Sequence, residues 1–370
     1  AVHSTHIDHA IKSQNRKMRR AFSGKLSAEQ QAALRHVLGN QQLSCVVGLA
    51  GAGKSTLLAT AQDAWAKQGV TVHGAALAGK AAEELQSASG IQSRTLASLE
   101  MSWKNGYAPI AEGDVLVIAE AGMIGTRQLS RVTAKMNAIG AKLVLVGDPD
   151  QLQPIEAGAP FRRVVKDHGA AHLTEIHRQK ADWQKQASRD LAAGDVSKAF
   201  DQYRKRDAVT QVDHRANAIE VLVETYAMDV AAHGTSKSRL AFAHKRKDVH
   251  ALNQAIRAAL RSGDSAPPET LFSTDTVKRA YAADDRIVFT RNDKDIGVKN
   301  GHKSQGATVN QSYVLASRSM DRHLAYVAMT RHRDHMQLFV NNRDRPNWTT
   351  DHKRHLKQTQ TRRRDGPSMG

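Results

Sequence analysis

The chain has 370 residues, room for two domains of ordinary size, and its 40% hydrophobic and 5% aromatic content fits a soluble α/β protein. The single cysteine, Cys45, excludes an internal disulfide and a cysteine-rich zinc site, and the absence of a long apolar run or an opening signal peptide points to a cytoplasmic protein without a membrane span. Lys plus Arg outnumber Asp plus Glu by 54 to 36, a net +18 that favours a polyanionic partner; nucleic acid is preferred to a membrane surface because no basic amphipathic helix with an aromatic face is present.

Residues 1–25 begin without Met and are rich in His, Lys and Arg, which suggests a trimmed protein or a segment of a longer polypeptide. His3, His6, Asp8 and His9 read as a solvated helix face rather than a metal site. The first clear helix opens at Leu26-Ser27-Ala28-Glu29-Gln30, with Ser27 as its N-cap. Gln30 either closes a capping box or reads an adenine edge, since an amide both donates and accepts; the spacing leaves both readings open.

Val46-Val47-Gly48-Leu49-Ala50-Gly51-Ala52-Gly53-Lys54-Ser55-Thr56 satisfies G-x-x-x-x-G-K-[ST], with an apolar strand before it and a helical run, Leu57 to Lys67, behind. Gly48, Gly51 and Gly53 let the backbone turn and aim consecutive N–H groups at a polyphosphate. Lys54 then reaches the terminal oxygens, and the Ser55 hydroxyl, followed by Thr56, can ligate Mg²⁺. Cys45, in the strand before the loop, is expected to fill core space.

Val70 to Ala76 reads as a strand and Gly79-Lys80 as a helix start, where Lys80 can hold a phosphate of DNA. Ser93-Arg94-Thr95 opens another helix in the same manner. Val115 to Ile118 is a buried strand followed by Ala119-Glu120; Leu143 to Val146 is another, followed by Gly147-Asp148-Pro149-Asp150-Gln151-Leu152. Strands alternating with helices imply a right-handed parallel sheet.

Past about residue 170 the signals loosen. Strands are expected at Leu173 to Ile176, Leu240 to Ala243, Arg286 to Thr290, Ser312 to Leu315 and Gln337 to Val340, with a helix from Asp248 to Leu260 and a loop over 262–268. The expected division is a basic extension over 1–25, a nucleotide-binding domain over 26–170, a second α/β domain over 171–340 and a basic tail over 341–370, disordered or lying on nucleic acid.

These motifs, in order and spacing, resemble superfamily 1 helicases of the RecD-like branch, and in particular the helicase part of conjugative-transfer relaxases. The resemblance rests on Gly74 to Ala82, Gly147 to Leu152, His302-Lys303-Ser304-Gln305-Gly306-Ala307-Thr308 and Val327-Ala328-Met329-Thr330-Arg331, and covers about Leu26 to Val340. It implies two RecA-like P-loop domains with parallel sheets and a nucleotide cleft between them, using ATP and Mg²⁺ and translocating on single-stranded DNA, 5′ to 3′, with other transfer-complex proteins as partners. Gln30 would contact adenine, Glu120 would orient and deprotonate water, and Gln151 would sense the γ-phosphate. Arg178 and Arg331 would enter from the second domain as arginine fingers, neutralising charge on the transferring phosphoryl group. Lys80, Thr95, His302, Lys303 and Gln305 would meet DNA. No His-hydrophobic-His cluster of the nicking type occurs, so strand transfer is not expected.

The chain departs from the family pattern in two places. Its strand ends in Ala119-Glu120 where relatives have Asp-Glu, and alanine has no oxygen with which to hold Mg²⁺, so turnover is expected to be strongly depressed; Glu112 and Asp114 sit at the wrong end of the strand to substitute. Asn300-Gly301, a turn pair, runs straight into His302 where relatives insert a small β subdomain, so efficient strand separation is not expected.

Overall fold

The structure, a computed structural model, describes residues 26–151, 159–261, 268–273, 278–281, 308–344 and 346. The expectations placed on the N-terminal extension, on a strand over 286–290, on the Asn300-Gly301 turn, on His302, Lys303 and Gln305, and on the basic tail beyond residue 346 lie outside the described residues. The chain divides into two compact units.

The first unit runs to Ala199 and also takes in Arg322–Arg333. Its strands are β1 (Leu43–Gly48), β2 (Val72–Ala76), β3 (Gln92–Thr95), β4 (Val115–Ile118), β5 (Lys142–Gly147) and β6 (Ala171–Leu173), in the order β3-β2-β4-β5-β1-β6. Every pairing in this sheet is parallel.

Side chains alternate across a strand, and here the alternation feeds two separate cores. Val46, Val115, Val117, Val144 and Val146 pack on one face, beneath α1 (Ala28–Val37), α2 (Lys54–Ala66) and α3 (Gly79–Ser89), which contribute Leu34, Leu57 and Leu85. Cys45, Leu116, Ile118, Leu143 and Leu145 pack on the other, beneath α4 (Leu96–Lys104), α5 (Thr126–Ile139) and α6 (Pro160–His168), which bring Leu99, Met136 and Phe161. A sheet covered on both faces has no polar side to present, which is why β4 and β5 read as unbroken apolar runs.

β3 is a strand where a helix start at Ser93 was expected. It pairs with β2 at Gly74↔Ser93, and a Cβ on Gly74 would fall 2.0 Å from Ser93 Oγ, so the glycine permits the approach. The helix begins one residue after β3, with the Thr95 hydroxyl accepting the Ser98 N–H at 3.1 Å as its cap. β6 also departs from expectation: it ends at Leu173 and joins the first sheet, against β1.

Within the first unit, α7 (Asp182–Ala192) packs against α11 (Arg322–Met329), a helix contributed from far along the chain. α8 (Val196–Arg204) follows α7 and crosses the division between the units.

The second unit holds β7 (Val209–Val212), α9 (Arg215–His233), β8 (Arg239–Ala243), α10 (Arg246–Leu260), β11 (Val309–Leu315) and most of β12 (His332–Asn341). Its sheet order is β7-β12-β11-β8, with β8 parallel to β11 and β7 parallel to β12. Leu222, Leu252, Tyr313 and Phe339 form its core. A separate antiparallel pair, β9 (Thr270–Ser273) and β10 (Lys278–Tyr281), follows α10; neither strand was expected.

Candidate nucleotide site

β1 ends at Gly48, buried in the sheet, and the chain turns through Gly51 and Gly53, at φ +80° and +81°, into α2. L-residues with a Cβ resist that left-handed backbone, so glycine is required at both positions. Space demands it as well. A Cβ on Gly51 would meet the Arg178 Cβ at 2.4 Å, and one on Gly53 would meet the Gln30 Nε2 at 2.3 Å. The loop is pinned by Leu49 N–H donating to Leu173 O (3.0 Å) and His177 N–H donating to Gly51 O (2.9 Å).

Lys54 opens α2 and folds its ammonium back onto the loop, donating to Gly48 O at 2.7 Å and Leu49 O at 3.2 Å. Burial pushes its pKa down, the Glu120 and Asp148 carboxylates pull it up, and Arg178 and Arg331 push it down again. Five charges therefore share one locality, three cations against two carboxylates. With the helix N-terminus added, the locality favours an anion of several charges. Ser55 is exposed in the first turn of α2 and Thr56 is half-buried beside it.

Gln30 resolves one open reading as far as its oxygen goes. The capping box is complete, with Ser27 Oγ accepting the Gln30 N–H at 3.2 Å and Gln30 Oε1 accepting the Ser27 N–H at 3.1 Å. The other end of the same amide lies against Gly53, so the cap also delivers a donor to the loop. Glu29, next to it, was not singled out from the sequence. Its carboxylate accepts the Thr174 N–H (2.7 Å), the Glu175 N–H (2.9 Å) and the Thr174 hydroxyl. Burial pushes the Glu29 pKa up, but these three donors outweigh it and hold the group below its ordinary value. They tie α1 to the segment that carries His177 and Arg178 over the loop.

Glu120 follows β4 with φ +54° and ψ +40°, a left-handed backbone unusual for glutamate, and a short 3₁₀ turn, Ala121–Met123, begins after it. Ala119 sits in the core face with its N–H donating to Ala75 O at 2.9 Å and offers the site no oxygen. Asp114, at the start of β4, pairs with His73 at 3.1 Å and accepts the Ala111 N–H, so it is committed at the far end of the strand.

At the end of β5, Asp148 is buried, and its Oδ2 accepts Gln151 Nε2 at 3.0 Å and the Tyr326 hydroxyl at 2.8 Å. Arg178 donates from Nη1 to Thr330 O at 2.9 Å, and burial together with the Arg331 charge lowers its pKa to about 10, so it remains a cation at neutral pH. Arg331 is buried, with Nε donating to Val327 O at 3.1 Å; burial lowers its pKa, while the Glu120 and Glu84 charges oppose the shift.

The structure thus brings together Gly48, Gly51, Gly53, Lys54, Glu120, Arg178 and Arg331, with Gln30 against the loop and Gln151 on Asp148. One expectation is corrected. Arg178 and Arg331 do not come from a second domain but belong to the unit that holds Lys54. The reason is topological: β6 extends the first sheet beside β1, so the residues after it emerge at the same edge as the loop, and α11 packs on that unit. Of the residues expected at DNA, Lys80 is exposed and loosely paired with Glu83 at 3.9 Å, and Thr95 caps α4. Two further residues were unassigned from sequence: Asp148 lies within the Gly147 to Leu152 motif, and Tyr326 directly precedes the Val327 to Arg331 motif.

A parallel sheet with helices on both faces, and a glycine loop running into a helix that begins with Lys54, define a P-loop nucleotide-binding protein. Residues 25–214 match the family model described as AAA domain. The chain is 40% identical over 363 residues to Conjugal transfer protein TraA of Rhizobium radiobacter, covering 86% of this chain and 33% of that protein. It is 30% identical over 158 residues to the ATP-dependent RecD2 DNA helicase of Deinococcus radiodurans, covering 42% of this chain and 22% of that protein. Its fold is similar to that of the Pif1 helicase from Bacteroides in complex with ADP-AlF3 and ssDNA, at a TM-score of 0.55 and 16% identity, over 90% of this chain and 98% of that one. The chain belongs to the AAA domain family, and its likeness to TraA, RecD2 and Pif1 supports a relation to the RecD-like superfamily 1 helicases and to conjugative relaxases. It spans about a third of the length of the TraA proteins it matches.

Proposed function

We propose that this chain is an ATP-dependent motor module of conjugative DNA transfer, acting on single-stranded DNA, 5′ to 3′, with hydrolysis strongly depressed by Ala119. The observation that carries this reading is the convergence on Lys54 of Glu120, Asp148, Arg178 and Arg331. Phosphoryl transfer asks for little else: a cradle of N–H groups and a lysine for the phosphates, a carboxylate to orient and accept a proton from water, and guanidiniums to neutralise the charge that develops. The loop and Lys54 supply the first, Glu120 the second, and Arg178 with Arg331 the third. Gln30 delivers a donor beside Gly53, and on this reading it would serve the adenine of the nucleotide.

Mg²⁺ would neutralise the phosphate oxygens. The exposed Ser55 hydroxyl fits such an ion, whereas Ala119 does not, and among the described residues no group of three or more His, Cys, Asp or Glu side chains is placed to hold a metal. Contacts to DNA would be mainly to phosphate, from Lys80 and the residues around Thr95 and over 302–305, and binding should weaken steeply with salt.

Ala119 also favours a second reading, a non-hydrolysing, nucleotide-gated clamp on single-stranded DNA. Phosphate release with and without single-stranded DNA, for this chain and for Ala119→Asp, separates the two. Weak DNA-stimulated release that rises at least about tenfold in Ala119→Asp supports the motor; nucleotide-dependent DNA binding with no release from either protein supports the clamp. Equal, brisk rates in both would refute the role given to Ala119.

A further inference from the structure

Tyr326 lies on α11, fully buried, and its hydroxyl makes two hydrogen bonds: it accepts the Ala50 N–H at 2.9 Å and donates to Asp148 Oδ2 at 2.8 Å. Ala50 is inside the phosphate loop. Asp148 in turn accepts the Asp150 N–H at Oδ1 (3.0 Å) and Gln151 Nε2 at Oδ2 (3.0 Å). One turn earlier on the same face of α11, His323 Nδ1 lies 2.7 Å from Asp150 O. A single helix therefore holds the 148–151 turn at two points and the phosphate loop at one.

The chemistry of these groups fixes the direction of the relay. An ionised carboxylate only accepts, so the Gln151 amide must face it with its NH₂ end, leaving Oε1 turned away from Asp148. An amide N–H only donates. Between the two, the linking group must accept on one side and donate on the other, which a hydroxyl does. Burial and the Asp148 charge both push the Tyr326 phenol well above its ordinary pKa, so it keeps the proton that the relay needs.

We propose that Tyr326 is a positioning residue that sets Gln151 against the phosphate loop, and that this link lets the site distinguish a nucleoside triphosphate from a diphosphate. The inference rests on the nucleotide-site reading given above. On that reading the loop would hold the phosphates that both nucleotides share, and Gln151, expected from the resemblance to sense the γ-phosphate, would meet only the third. Without the hydroxyl, Asp148 keeps the Asp150 and Gln151 donors, so the turn stays folded while its register to the loop is lost.

The test is equilibrium binding of fluorescent ADP and of fluorescent ATPγS, each with Mg²⁺, to the unaltered chain, Tyr326→Phe, Gln151→Ala, the double variant and Lys54→Ala. Tyr326→Phe keeps the ring in the core. It should leave ADP affinity within about twofold and weaken ATPγS about tenfold, the equivalent of ~1.4 kcal/mol. The double variant should be no weaker than Gln151→Ala alone, because the two residues act in series. Asp148→Leu, which keeps the size of the side chain but accepts no hydrogen bond, cuts the relay at its other end, should lose the same discrimination and serves if Tyr326→Phe melts early. Equal weakening of both nucleotides, unchanged discrimination, or additive losses in the double variant would overturn the inference. If the unaltered chain and Lys54→Ala bind equally poorly, the nucleotide site itself is refuted and this inference with it. If the unaltered chain binds both nucleotides, Lys54→Ala binds neither and Tyr326→Phe discriminates normally, only the role of Tyr326 falls.

Discussion

Gly51→Ala tests how the phosphate loop and the Arg178 segment fit together. Two costs can be separated. Alanine at φ +80° carries the left-handed penalty of about 1–2 kcal/mol. Its Cβ would also lie 2.4 Å from the Arg178 Cβ, a distance that real side chains do not tolerate, so the Arg178 backbone must move by about 1 Å. That movement strains the His177 N–H to Gly51 O bond and the Arg178 to Thr330 O bond, and overpacking of this kind costs about 1–3 kcal/mol. The sum, about 2–5 kcal/mol, corresponds to a fall in Tm of about 4–20 °C for a unit of this size. Gly69→Ala is the control: its φ is +71°, but nothing lies within 4 Å of the added carbon. It should lose only the conformational part, about 2–8 °C. Scanning calorimetry of both variants against the unaltered chain, followed by ADP binding, gives the comparison. Equal shifts in the two variants, or ADP affinity unchanged in Gly51→Ala, would refute the packing of Arg178 over the loop.

Two further outcomes follow from groups near the site. Glu29→Gln exchanges a carboxylate that accepts three donors for a neutral amide, and urea unfolding at neutral pH should show a loss of about 1 kcal/mol, small because the group is only partly buried. The Glu29 pKa is held below its unfolded value of 4.5, so its contribution is present above that pH and is lost as pH falls through the folded value; the gap between the two proteins should close in acid, and a gap that persists there would exclude the carboxylate as its source. Cys45 is buried in β1 and its thiol is pushed up to about 11, so thiol reagents at mildly alkaline pH should label it only after unfolding; rapid labelling of the native protein would contradict the packing of β1.

The parts legible in the sequence were those where local chemistry and tertiary placement agree. Val115 to Ile118 was delimited correctly because a strand covered on both faces must be apolar at every position. The phosphate loop was legible because few sequences other than Gly-x-Gly-Lys-Ser let a backbone turn and start a helix at once. Ser27 was legible as an N-cap, whereas the spacing left Gln30 open between a capping box and an adenine contact. The misses share a different cause. Ala171 to Leu173 gives three residues of signal, too few to show which sheet it joins, and that choice decided where Arg178 belongs. Tyr326 sits beside a motif that was noticed, yet its partners, Ala50 and Asp148, are long-range contacts with no local pattern. Ser93 to Thr95 read as a helix start because Thr95 is indeed a cap, and the strand that holds them, Gln92–Thr95, is short and polar.

The first unit includes twelve residues, Arg322–Arg333, that lie in sequence between two segments of the second. Anyone trimming this protein to a tidy N-terminal fragment at Ala199 would therefore remove the phenol from Asp148, the carbonyl partner of Arg178, and Arg331 itself. Such a fragment would still carry the whole phosphate-loop pattern from Gly48 to Thr56, and it would be left with a buried carboxylate facing emptied space. Deletion mapping on this chain would then report a dead motif where the defect is an amputated helix.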